Sequence, residues 1–210
     1  MKYDQDSLKQ MDKRHRARFI NSVIGTKPAL MVGSQNAHGQ SNLAIMSSAF
    51  HLGADPALIG LIIRPSESPR HTFNNILETG CFTLNHITAD IVEAAHQTSA
   101  RYPEGECEFD AVGLEKEFLD GFTAPFVAQA PIKLGVTLVE HQLLAVNKTH
   151  LIIGEIQLLD VPENAVNHDG FVDIIATGTV AVTGLDHYVQ PTSLKRLSYA
   201  KVDRWPEEIQ

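Results

Sequence analysis

Apolar residues fall along this chain in short runs rather than in a helical stripe. Residues 28–33 (Pro-Ala-Leu-Met-Val-Gly) form one run that ends in Gly33, and residues 57–63 (Ala-Leu-Ile-Gly-Leu-Ile-Ile) form another, closed by Arg64 and Pro65. Runs of this length between turn residues suit buried strands. Asn36 to Gly39 carries turn chemistry, and residues 41–49 resume as strand and loop. Residues 81–87 and 177–184 read as further strands. Residues 132–139 and 150–158 read as a long antiparallel pair. Helical signals are fewer. Residues 7–19 are polar with few breakers and predict a short helix. Residues 70–78 predict a second, with Pro69 ahead of it, Gly80 as its stop, and Asn74 and Asn75 on its exposed side. Residues 88–99 predict a third, with Thr88 as N-cap and Ile91, Val92 and Ala95 at helical spacing. Residues 101–121 are Glu-rich and punctuated by Pro and Gly, which suggests a surface insertion or lid. Residues 186–210 are polar and irregular. The sum is six to eight strands with few helices and no alternating strand–helix rhythm. That pattern predicts a mainly β chain, a barrel or sandwich, folded as a single domain over residues 1–210.

Composition removes several functional classes. The chain has 210 residues, 43% hydrophobic and 20% charged, with a formal net charge of -8. Such a chain can fill a core. Its acidity argues against nucleic acid as a partner, because phosphate contacts need clustered Lys and Arg. It argues equally against an anionic membrane surface. No run of 18 apolar residues occurs, and the charged start of the sequence lacks the apolar stretch of a signal peptide. The expected location is therefore cytoplasmic. Two cysteines exclude a disulfide framework. Cys81 sits at a strand start among apolar residues. Cys107 lies in an acidic stretch, which disfavours a thiolate.

The chemistry-bearing signals are equally selective. The sequence holds no G-x-G-x-x-G, no Walker A loop, no H-E-x-x-H and no G-x-S-x-G. Of its ten histidines, His86 with His96 and His141 with His150 lie close in sequence. Neither pair has metal-ligand spacing with a carboxylate, so no metal site is expected. Residues 41–50 (Ser-Asn-Leu-Ala-Ile-Met-Ser-Ser-Ala-Phe) pass from strand to a small-residue loop. There backbone N–H groups can approach an anion or a flat ring, with Ser47 and Ser48 as added donors. Arg70 and Thr72 fall at the start of a predicted helix, where free N–H groups and the dipole attract phosphate. Either segment alone also suits an ordinary turn or cap.

Taken in order, the residues Asn42-x-Ala44-x-x-Ser47-Ser48, Asp55-Pro56, Arg70-x-Thr72-x-x-Asn75-Ile76 and Asn85 resemble the flavin reductase-like, FMN-binding split-barrel family. Glu108-Phe109-Asp110-x-x-Gly113-Leu114 is similar to that family's middle element. His150-x-x-x-Gly154-x-Ile156 is similar to its H-x-x-x-G-x-V strand, and Arg196-Leu197-x-Tyr199 to its C-terminal Arg–Tyr element. The resemblance spans residues 20–199. It implies an FMN-binding split β-barrel that pairs as a homodimer, and an oxidoreductase moving hydride or electrons from NAD(P)H through flavin to a small-molecule or flavin acceptor. A carrier or sensor without turnover, or an interaction barrel that has lost flavin, are the other classes it leaves open. On this resemblance Arg70, Thr72, Ser47 and Ser48 hold the phosphate and ribityl end. Asn42 and Met46 line the ring, and Arg64 is a second cation near the phosphate or the pyrimidine carbonyl. His150 either faces flavin or nicotinamide, or fills the barrel. The chain departs from the family where many members have Pro after the first-motif Ala, here Ile45 and Met46. It departs again at Thr149, where many carry Asp, and in the absence of glycines beside Arg196.

Overall fold

The computed structural model describes residues 1–65, 71–103, 105–119 and 121–209. The chain opens with α1 (Gln5–Gln10) and α2 (Lys13–Val23). Strands β1 (Thr26–Pro28), β2 (Leu30–Gln35), β3 (Ser41–Met46), β4 (Ala49–Ala54) and β5 (Ala57–Ile63) follow. Next come α3 (His71–Thr79), β6 (Cys81–His86), a 3-10 turn (Ala89–Ile91) leading into α4 (Val92–Gln97), and α5 (Glu108–Val112). The short strands β7 (Lys116–Glu117) and β8 (Phe126–Val127) precede the long β9 (Lys133–Leu143) and β10 (His150–Asp160). Short strands β11 (Ala181–Thr183), β12 (His187–Val189), β13 (Arg196–Leu197) and β14 (Glu208–Ile209) close the chain.

Seven strands form one antiparallel sheet in the order β3-β2-β6-β9-β10-β5-β4. The two apolar runs, β2 and β5, occupy interior positions in it. The edge strands β3 and β4 are consecutive in sequence, linked only by Ser47 and Ser48. In a flat sheet these edges would lie about six strand spacings, or roughly 28 Å, apart. The three Cα steps from Met46 to Ala49 reach about 11 Å at most. The sheet must curl until its edges meet, which makes a barrel split between β3 and β4. Ser48 staples the link: its hydroxyl donates to the Ile62 carbonyl at 2.6 Å, and its carbonyl accepts from the Ile62 N–H at 3.3 Å.

Two apolar clusters lie on opposite faces of the sheet. Inside the barrel Val32, Leu61, Phe82, Val136 and Ile152 are fully buried, and Ile76 of α3 plugs one end. Outside it Met31, Leu43 and Ile87 pack with Phe109, Val127 and Val182. β2 feeds both clusters, which is why its sequence is uniformly apolar rather than alternating. Gly154 has a steric reason: a Cβ there would run into Val136 Cγ1 and come within 3.1 Å of the Phe82 ring.

β3 is a sheet edge, and its outward N–H groups need partners. Glu108 accepts from the Leu43 N–H at 3.0 Å and Thr98 Oγ1 from the Ile45 N–H at 2.9 Å. The segment 101–121 is therefore more than a surface lid: it carries α5, whose Glu108 and Phe109 are buried. Other expectations also change. The N-terminal helix is two helices, because Met11 turns extended and Asp12 caps a new start through the N–H groups of Arg14 and His15. Ala49, expected to end a strand and loop, instead begins a strand that runs to Ala54. Thr88 stands at the start of its helical segment without a side-chain cap bond, and the first turn is 3-10. Asn75 is buried rather than exposed, with its amide on Ser34 Oγ at 3.2 Å.

Candidate functional site

Several of the residues expected at a ligand site are linked to one another along the split of the barrel. Register carries them there. Ser48 bonds Ile62, the next residue Ile63 pairs with His150, and Arg64 follows directly. His150 packs against Phe73 of α3, with ring centroids 4.2 Å apart. Thr72 precedes Phe73 and meets Asn42 of β3 at 2.9 Å. Met46 packs at the margin of the barrel core, and Ser47 is half-exposed beside it. Arg70 lies outside the described residues.

Asn42 and Thr72 are both buried. With the Asn42 amide turned to satisfy its neighbours, its oxygen accepts from the Thr72 hydroxyl at 2.9 Å and the Leu43 N–H at 3.1 Å, while its nitrogen donates to Glu108 at 3.3 Å. The Thr72 hydroxyl proton is thereby spent within the protein. What α3 offers an anion at this position is its N-terminal backbone, whose first N–H groups have no intrahelical partner. The Ser48 hydroxyl proton is likewise spent, on Ile62.

Two features of the rim were not drawn from the sequence. Lys27 lies close enough to Arg64 to feel its charge. Burial first, and then the Arg64 guanidinium, hold the Lys27 ammonium below its ordinary value. Lys27 donates to the backbone carbonyl of Gly184 at 2.7 Å. On a chain of net charge -8, two mutually repelling cations favour an anion between or beside them. The second feature is His141, whose Nε2 lies 2.8 Å from Nδ1 of His150. The sequence showed the two histidines near each other but gave no reason for contact. Among the described residues no His, Cys, Asp and Glu cluster could hold a metal.

A cavity of about 460 Å³ opens on the other side of α3, between Asn42, His71, Glu78 and Cys107. Of the expected site residues it touches only Asn42. Amides and carboxylates dominate its lining, which is a poor match for a flat apolar ring. The split rim, with Met46, Phe73 and the imidazoles, is the better surface for one.

The family model for the flavin reductase like domain matches residues 25–174. The chain belongs to this family. Its fold is that of the family's split barrel. A crystal structure of a candidate flavin reductase with split barrel domain from Shewanella frigidimarina superposes with a TM-score of 0.92 at 50% identity, covering 95% of this chain and 100% of that one. Nitrilotriacetate monooxygenase component B from Bacillus cereus superposes with a TM-score of 0.82 at 20% identity, over 94% of this chain and 98% of the other. An FMN-binding protein from Thermus thermophilus superposes with a TM-score of 0.67 at 16% identity, over 86% and 93%. Membership makes this flavin reductase-like chain a flavin-related oxidoreductase. Among its described residues no helix is long and apolar enough to cross a membrane.

Proposed function

We propose that this chain binds FMN along the split between β3 and β4 and passes hydride or electrons from NAD(P)H through it to a small-molecule or flavin acceptor. The observation that carries the reading is convergence. Residues from separate stretches of sequence are linked along the split, near two cations, Lys27 and Arg64, that feel each other's charge. The fit is chemical. Arg64, with Arg70 nearby in sequence, supplies charge-assisted donors for a phosphate. The start of α3 adds backbone N–H groups. Met46 and the small residues Ser47 and Ser48 leave room for a flat ring, and Phe73 and His150 give the rim aromatic faces. Bound flavin supplies the hydride acceptor, so the protein's task is orientation and electrostatics. This accounts for a site without an acid–base triad. The chain is also proposed to act as a homodimer of about twice 23.1 kDa, which light scattering measures.

The test is ligand binding with and without the phosphate. Purified protein should bind FMN at micromolar concentration and show flavin absorption. NAD(P)H should bleach that absorption under anaerobic conditions. Arg70→Ala should weaken FMN by roughly ten- to a hundredfold, the worth of one charge-assisted bond, and leave the weaker riboflavin nearly unchanged. A colourless protein that ignores added FMN would refute the proposal. Equal losses for both flavins would move the phosphate away from Arg70, with Arg64 the next residue to change.

A further inference from the structure

His141 and His150 stand on neighbouring strands, diagonal in register: His150 pairs with Leu143, and His141 with Ile152. The register shifts once between Ile153 and Gly154, where Val139 is the extra residue. Before this bulge Val136 and Leu138 line the barrel interior; after it the inward position falls to His141. Without the extra residue His141 would face the other side of the sheet. The bulge therefore aims a second imidazole at the first. The rings lie 5.0 Å apart by centroid, and Phe73 covers both, at 4.2 Å from His150 and 5.2 Å from His141. No described residue bonds Nε2 of His150.

We infer that His141 is a positioning residue for His150, fixing its tautomer through the Nε2–Nδ1 hydrogen bond and forming with it a two-ring proton relay that ends at Nε2 of His150. One proton must lie between the two facing nitrogens, so the protonation of one ring dictates that of the other. When Nδ1–H of His150 donates to His141, Nε2 of His150 is an open base. A proton taken up there is matched by passage of the Nδ1 proton to Nε2 of His141, and by release of the Nδ1 proton of His141 to solvent. The exchange leaves both rings neutral and reverses the polarity of the shared bond. Desolvation and then the charge of His141 hold His150 below the ordinary imidazole value, which favours its neutral ring near pH 7. Other ionisable groups on the elements packed against the pair are Arg64 beyond β5, Glu140 on β9, Lys148 in the β9–β10 turn, and His71 and Glu78 on α3. Glu140 is engaged by Gln142 Nε2 at 2.6 Å. The inference rests on the proposed flavin site only for what Nε2 of His150 faces; the pair itself does not depend on flavin.

The test reads imidazole nitrogens directly. Two-bond ¹H–¹⁵N spectra of the histidine-labelled full chain, without and with FMN, are followed from pH 5 to pH 9. His150 should show a single tautomer and titrate together with His141 in coupled steps. In His141→Phe it should show the mixed tautomers of a free imidazole and titrate alone, at higher pH. His141→Gln, which keeps one group able to bond Nδ1, should restore the single tautomer but not the coupled titration. His86, neutral throughout this range in the folded chain, reports that each variant is folded. Independent titration with mixed tautomers in the unaltered chain would overturn the inference, as would an unchanged His150 in His141→Phe. Because the flavin-free chain suffices, failure here is separable from failure to bind FMN.

Discussion

Two inward-facing histidines, His86 on β6 and His150 on β10, behave differently. His86 continues the buried face of β6 set by Phe82 and Leu84, and its Nδ1 meets Thr179 Oγ1 at 3.1 Å. Burial pushes its pKa down to about 4. No charged neighbour contributes to that shift, so the ring stays neutral at physiological pH. His150 lies at the open rim, half-exposed, against a second imidazole and a phenyl ring. Residue type and strand face are the same in both. What differs is how strongly desolvation acts on each ring and the second imidazole beside His150. A histidine becomes chemically useful where it can both hold and release a proton, and His141 gives His150 a partner for that exchange.

The largest expected effect tests His86. In the folded chain His86 titrates near pH 4, against about 6.5 in an unfolded one. The folded state therefore resists protonation, so its stability is complete above pH 6.5 and falls as the pH drops toward 4. The difference amounts to about 3 kcal/mol. Urea unfolding at pH 7 and pH 4 should show the unaltered chain losing that much more than His86→Leu. Equal losses would mean that desolvation does not depress His86 in the folded chain and that the two histidines differ less than proposed.

A smaller effect tests the rim. Phe73→Ala removes the ring that covers both imidazoles and anchors α3 over the barrel. Phe73 is half-buried, so the cost should fall below that of a fully buried Phe, at about 2 kcal/mol by urea midpoint. Loss of less than about 0.5 kcal/mol would show that Thr72, Asn75 and Ile76 suffice to hold α3. The smallest effect returns to His86. Thr179→Val deletes the hydroxyl that meets the ring and should cost about 1 kcal/mol. It should leave FMN affinity unchanged, whereas Phe73→Ala should weaken it. If Thr179→Val weakened FMN as much, the site would extend to His86.

Much of the fold was legible because burial leaves a direct mark on sequence. β2 is apolar through Gly33 because it feeds both clusters, β5 supplies Ile59, Leu61 and Ile63 to the barrel interior, and the β9–β10 pair is long enough to read as a hairpin. Ala49–Ala54 was missed because its burial alternates poorly: Phe50 and Leu52 are exposed, and only the pairing with β5 makes it a strand. Segment 101–121 misled because a buried Glu108 reads as surface charge until its acceptor role toward the β3 edge is seen. Arg70 entered as the main phosphate ligand from its place in the motif, and it lies outside the described residues. Lys27 carried no sequence signal, since its relation to Arg64 depends on two distant segments meeting.

The sequence by itself determined six of the seven main-sheet strands, the order of the motif residues and the family, because hydrophobic period and turn chemistry act over a few neighbouring positions. The tertiary structure decided which donors remain for a ligand. Thr72 and Asn42, thirty residues apart, spend their polarity on each other. Ser48 spends its proton closing the barrel. His141 faces His150 only because one extra residue in β9 shifts the inward face, and a bulge is a property of two paired strands that neither strand states alone.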